Sequence, residues 1–169
     1  KSGFKFEVIA SGIKENTIFK KPHLIATDIS YRKAKAVARK YRNTPVLAAD
    51  TIVYCRGRII GKPRSRQEAF KLLKLQSGRW QTVYTGVSLV WESKNMELTD
   101  YEKSYCYMKK MDDEKLKEIS GKHMDKAGGW AVQDSGDALV TKIKGRYDNV
   151  VGLPMNIVSK FMKKVLSSK

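Results

Sequence analysis

Three side chains of suitable type fall close together in the middle of the chain. Asp50 and Thr51 follow the apolar run Val46-Leu47-Ala48-Ala49, and Lys62 sits inside Gly61-Lys62-Pro63. A carboxylate can take a proton from water or hold a hard cation, and an ammonium can neutralise an anion. Ile52 to Cys55 and Ile59 to Gly61, joined through Arg56-Gly57-Arg58, predict two short strands around a glycine turn that return Lys62 toward Asp50. Such a pair equally suits a structural ion pair or a strand cap, and the spacing alone does not choose between them. Glu15, in Ser11-Gly12-Ile13-Lys14-Glu15-Asn16, is a second acid near a predicted strand end and by itself reads as a solvated loop residue. A further group, Asp125, Lys126 and Gln133, surrounds the adjacent glycines Gly128 and Gly129, where backbone can approach a ligand closely.

Positioning these residues requires an α/β framework. Pro45 followed by an unbroken apolar run predicts a strand buried on both faces that ends at Asp50, the strand end at which α/β sheets collect ligands. Phe4 to Ile9 alternates and predicts a strand. Ser30 is placed as the cap of a helix from Tyr31 to Tyr41, with Ala34, Val37, Ala38 and Tyr41 on its apolar face and Lys35 at the border, facing the cleft edge. Ser65-Arg66-Gln67-Glu68 is a capping box for a helix that stops at Gly78. Gln81 to Trp91 and Met96 to Met108 predict a long hairpin turning at Glu92-Ser93-Lys94-Asn95. Tyr101, Tyr105 and Tyr107 share one face of its second strand with Lys103, a pattern assigned to cross-strand packing. A short helix after Asp112 or Asp113, a strand from Ala138 to Lys144, a turn over Gly145 to Asn149 and a helix after Pro154 complete the order, with Lys163 to Lys169 expected to fray.

The totals narrow the class. The chain has 169 residues, 41% hydrophobic and 30% charged, which suits one folded domain rather than a disordered chain. Its net charge of +17 attracts nucleic acid, an acidic membrane or phosphates. Cys55 and Cys106 are too few for a disulfide framework and too far apart for a Cys-x-x-Cys motif, so reduced, buried thiols are expected. His23 and His123 are the only histidines and neither lies near a cysteine, so no zinc site is expected. No apolar run reaches a membrane span and no signal-peptide core is present, so a cytoplasmic protein without a membrane partner is expected.

Taken together, the segments resemble the Maf family, the septum formation proteins or nucleoside triphosphate pyrophosphatases. The matching pieces are Phe6-Glu7-Val8 with Glu15, Lys35-Ala36, Leu47 to Val53, Gly61-Lys62-Pro63, Leu75-Gln76-Ser77-Gly78, Thr82 to Val87, Asp125 to Gly129, Gln133, and Gly145 to Pro154. They keep the family's order over nearly the whole chain. The resemblance implies a single Maf/ITPase-like domain over residues 1–169, a mixed twisted sheet with flanking helices, elongated and with a central cleft. It also implies hydrolysis of a nucleoside triphosphate between the α and β phosphates, with magnesium or manganese. On that pattern Asp50 and Lys62 are catalytic, Glu15 and Asp50 bind metal, and Lys35 and Lys126 contact phosphate. Thr51 and Gln133 read the base, and the Asp-Thr pair resembles the branch acting on dTTP and UTP. Another nucleotide preference is the nearer alternative, because Trp130-Ala131-Val132-Gln133-Asp134 departs from the family's common Tyr-Gly-Ile-Gln-Gly. The family's front motif, Ser-x-Ser-Pro-Arg-Arg, would lie ahead of Lys1. A homodimer is also in keeping with the resemblance. A nucleic-acid-binding protein on the same fold is the second reading, and nucleic acid is not the expected partner of the enzyme.

Overall fold

The computed structural model describes residues 5–132 and 139–168. The helices are α1 (Pro22–Ala38), α2 (Arg66–Gln76), α3 (Asp113–Ile119), α4 (Tyr147–Val151) and α5 (Met155–Ser167). The strands are β1 (Val46–Cys55), β2 (Arg58–Ile60), β3 (Trp80–Trp91), β4 (Met96–Met108) and β5 (Val140–Lys144). They form one five-stranded sheet in the order β2-β1-β3-β4-β5, and every described pairing is antiparallel. The long β3–β4 hairpin pairs Trp80 with Tyr107 at one end and Trp91 with Met96 at the other. Its turn is a 3-10 segment, Glu92–Lys94, closed by Asn95 in the left-handed region.

Helices cover the two faces unequally. On one face Val53, Val83, Cys106 and Met108 pack with α2, α3 and Trp130, and Val87, Leu89 and Trp91 pack with α5. On the other, Ala34 and Ala38 of α1 pack on Val90, Val46 and Ala48. Gly86 lets α1 come this close, since a Cβ there would collide with the backbone carbonyl of Ala26. α1 therefore covers one half of its face and stops, with His23 in its first turn stacked on Tyr101 at 5.1 Å between ring centroids.

The α/β class and the hairpin are as the sequence predicts, and several elements differ. The helix predicted from Tyr31 begins at Pro22 instead, and Ser30 is buried mid-helix. Its hydroxyl bonds to the Thr27 carbonyl at 3.0 Å and to the Ser88 hydroxyl at 2.9 Å, so a residue that reads as a cap is a core polar contact. Lys21 is the N-cap and Pro22 supplies the preset first turn. The strand predicted at Phe4 to Ile9 has no paired counterpart among the described residues, and Phe6 and Val8 are exposed. Alternation makes a strand only where a sheet edge and a core are offered together. The turn predicted over Gly145 to Asn149 runs into the short helix α4, and helix α5 continues to Ser167 where fraying was expected. Cys55 and Cys106 are free and buried.

Candidate active site

β1 continues through Asp50 to Cys55 as a single strand, so Asp50 lies in mid-strand rather than at a strand end. Its pairing explains why it still reaches a site. β2 pairs only with Val53, Tyr54 and Cys55, so the outer edge of β1 beside Asp50 carries no strand among the described residues. The run Val46 to Ile52 is half-buried throughout, not buried on both faces. The tight turn at Arg56 and Gly57 sends β2 back alongside β1, and Lys62 follows within reach of the same edge.

Four charged side chains meet there. The Lys33 ammonium lies 2.7 Å from Asp50 Oδ1 and 2.7 Å from Glu15 Oε1, bridging the two carboxylates. Lys62 Nζ lies 3.2 Å from Glu15 Oε2. The segment holding Glu15 is tied down by Arg32, which donates to the Lys14 carbonyl at 3.0 Å and to the Asn16 carbonyl at 2.5 Å. Burial raises the Asp50 carboxyl above its ordinary value, and Lys33 offsets this only in part. Glu15 is lowered, first by its bond to Lys33. Burial opposes the charge on Lys33, yet its bonds to Asp50 and Glu15 together hold the ammonium above its ordinary value. The site therefore keeps two anions and two cations close together, with the most buried carboxylate the readiest to take a proton.

A pocket of about 280 Å³ opens beside this cluster. Ala49, Asp50, Thr51 and Val53 of β1 line one side with Val83, and Lys62 and the Asp125 to Val132 loop line another. Val150 and Val151 of α4 complete the apolar wall. Thr85 donates its proton to the Asn149 carbonyl at 3.1 Å, so Thr51, 2.9 Å away, donates to Thr85. Asn149 in turn donates to the Val83 carbonyl and to the Ser104 hydroxyl, which fixes α4 over β3 and β4.

The loop wall is pinned from behind. Gln76, fully buried at the end of α2, donates to the Gly128 carbonyl at 2.8 Å and accepts from Trp130 Nε1 at 2.9 Å. Gly128 has φ 84°, and a Cβ there would run into the Trp130 indole nitrogen and Gln76 Oε1. The α2 helix that carries Gln76 starts at the Ser65 cap as predicted, but the returning half of the capping box closes on the Arg64 amide rather than on that of Ser65. Ser65 Oγ accepts from the Glu68 amide at 3.1 Å, and the Glu68 carboxylate accepts from the Arg64 amide at 2.8 Å.

Of the residues singled out in the sequence, Asp50, Glu15, Lys62, Thr51, Asp125 and Lys126 come together at this pocket or its edge. Lys126 pairs with the neighbouring Asp125 carboxylate at 2.8 Å. Gln133 lies outside the described residues. Lys35 does not reach the pocket; its ammonium pairs with Glu92 and Glu97 at the far end of α1. Lys33, which the sequence reading passed over, takes the place beside Asp50. The signal was present in Lys33-Ala34-Lys35-Ala36, which offers two Lys-Ala pairs in succession. Two positions on a helix are about 200° apart, so only one of the two lysines can face β1 at Asp50.

Among the described residues no group of three His, Cys, Asp or Glu side chains could hold a metal by itself. Glu15 and Asp50 nevertheless aim oxygens at one point, where Lys33 Nζ now sits. Two carboxylates completed by water and substrate oxygens is the donor set that magnesium and manganese accept, so the residues present fit such an ion.

An antiparallel α/β sheet with paired acids and lysines at the rim of a half-apolar pocket defines a protein that handles a small anionic ligand. The chain belongs to the Maf-like protein family, whose model matches residues 1–165. It is 46% identical over 162 residues to the dTTP/UTP pyrophosphatase of Elusimicrobium minutum, covering 96% of this chain and 88% of that protein. The dTTP/UTP pyrophosphatase of a Thermoanaerobacter species is 39% identical over 165 residues, covering 96% and 86%. That of Thermosipho africanus is 43% identical over 155 residues, covering 90% and 78%.

Proposed function

We propose that the protein is a nucleoside triphosphate pyrophosphatase, hydrolysing the α–β phosphoanhydride of dTTP- or UTP-like nucleotides to a monophosphate and pyrophosphate. The observation that carries this reading is the Lys33 bridge between Asp50 and Glu15, beside Lys62 at the pocket rim. The names of the relatives supply the substrate class.

Asp50 acts as the base. Its burial raises the carboxyl, and a carboxylate with a raised pKa accepts a proton from water more readily. Water attacks the α phosphorus, a new P–O bond forms, and the bond to the bridging oxygen breaks with its electron pair leaving on pyrophosphate. The proton passes from the attacking water to Asp50. Lys62, and Lys33 once it is drawn off the carboxylates, neutralise the charge that gathers on the leaving pyrophosphate. Lys126 at the pocket edge adds to that neutralisation. Glu15 and Asp50 are the residues that would hold magnesium or manganese. Bound there, the ion supplies charge neutralisation on phosphate oxygens and a water that is easier to deprotonate. Thr51, Trp130 and the apolar wall from Val132, Val150 and Val151 shape the base end of the pocket, with Gln133 as the base-reading amide.

The test is a screen of the common nucleoside triphosphates with magnesium or manganese, with products separated by ion exchange. The reading expects dTTP and UTP to give monophosphate plus pyrophosphate. A diphosphate plus inorganic phosphate, or no turnover of any of them, contradicts it.

A further inference from the structure

We propose that the part of the sheet face beyond α1, which no described helix covers, binds single-stranded nucleic acid by stacking bases on its aromatic side chains. Directly opposed residues of an antiparallel pair share a face, so the register defines this surface row by row. One row is Trp80, Tyr107 and Lys142. The next is Tyr54, Thr82, Tyr105 and Lys144, and the third is Ile52, Tyr84 and Lys103. None of the three rows contains an Asp or Glu.

The open face of an antiparallel sheet is ordinarily polar. Here Trp80, Tyr101 and Tyr105 are 41%, 44% and 40% exposed. Lysines stand over the rings: Lys144 Nζ is 5.1 Å from the Trp80 ring centre, Lys103 Nζ 5.3 Å from Tyr105 and Lys142 Nζ 5.9 Å from Tyr107. Alternate residues along β4 lie about 6.8 Å apart, which suits successive bases of an extended strand. Rings that stack any base, interleaved with cations that follow the phosphates, are the recurring platform for single strands.

Charge selects this occupant over a second copy of the chain. Two copies each carrying +17 would meet through rows whose only charged side chains are lysines. The proposal is independent of the pyrophosphatase reading. The pocket shares no residue with the three rows: its Ala49, Thr51, Val53 and Val83 belong to the opposite face, and Asp50, beside Gly86, lies on this face one row beyond Ile52 and Tyr84.

The test is fluorescence anisotropy with a labelled 12-mer of deoxythymidylate, as a function of salt. Tyr105→Ala should weaken binding by roughly five-fold or more, and Tyr105→Phe should keep it. The double variant Lys142→Ala/Lys144→Ala should lower the log–log salt slope by about 1.4. The oligonucleotide should quench tryptophan emission through Trp80, since Trp91 and Trp130 are buried, and Trp80→Phe should abolish the quenching. Excess dTTP should not displace the oligonucleotide. Unchanged affinity in Tyr105→Ala, equal binding of a 12-base-pair duplex, or displacement by dTTP overturns the proposal. So does an absence of binding, or binding to anionic vesicles that depends on the lysines alone.

Discussion

Replacing Lys33 by Met removes the ammonium that bridges Asp50 and Glu15 while keeping most of the side chain's volume. Lys33 and Asp50 side chains are 21% and 10% exposed, so the pair lies between solvent and interior. At 2.7 Å, Coulomb's law gives about 1.5 kcal/mol with the dielectric of water and about 6 kcal/mol with an effective dielectric near 20. Breaking a fully buried pair by removing one partner costs about 3–5 kcal/mol. An intermediate value, about 3 kcal/mol at pH 7, is expected for Lys33→Met. The sign of its pH dependence follows from Asp50. Burial already raises that carboxyl, and without Lys33 it rises further. A carboxyl raised on folding stabilises the folded state below its unfolded value and loses that contribution as pH rises through the folded value. The penalty of Lys33→Met should therefore be largest at neutral pH and shrink toward pH 5. Urea unfolding from pH 5 to 8, in the parent and in an Asp50→Asn background, measures both quantities. In the Asp50→Asn background the penalty should fall by at least about half. A penalty that is the same in both backgrounds, or independent of pH, would refute the bridging role.

The other predictions concern packing and the pocket wall. Gly86→Ala forces a Cβ against the Ala26 carbonyl and should destabilise by about 1–3 kcal/mol in urea unfolding; an unchanged midpoint would contradict the close approach of α1. Gln76→Leu leaves Trp130 Nε1 and the Gly128 carbonyl without their partner, costing about 1–3 kcal/mol. It should also raise KM for the nucleotide more than it lowers kcat. Burial pushes the Cys106 thiol up to about 12, so native protein at pH 8 should resist iodoacetamide there and react only on unfolding, as peptide mass mapping would show.

What the sequence makes legible follows the range of the interactions involved. The capping box at Ser65 and the β3–β4 hairpin depend on neighbours in the chain and were readable. The return of Lys62 to the edge of β1 was readable for the same reason, through its short turn. Ser30 reads as a helix cap because a buried hydroxyl pairing with Ser88 looks, in sequence, the same as one. Asp50 reads as a strand end because a charge normally ends an apolar run. Here the strand continues because β3 pairs with it without a break from Val46 to Tyr54, and Lys33 offsets the charge of Asp50. The choice between Lys33 and Lys35 depended on which side of α1 faces β1. That orientation is set by contacts such as Gly86 against Ala26, which are remote in sequence. Gln76 behind Trp130 was likewise invisible, since only the fold brings α2 against the glycine loop.

The central claim is that Asp50 takes the proton from the attacking water. Its most direct measurement is steady-state release of pyrophosphate from dTTP by the parent and by Asp50→Asn, with circular dichroism verifying the fold of each. Loss of a general base is expected to lower kcat by about 100-fold or more while the Asn variant stays folded. Turnover by Asp50→Asn within a few-fold of the parent would contradict it.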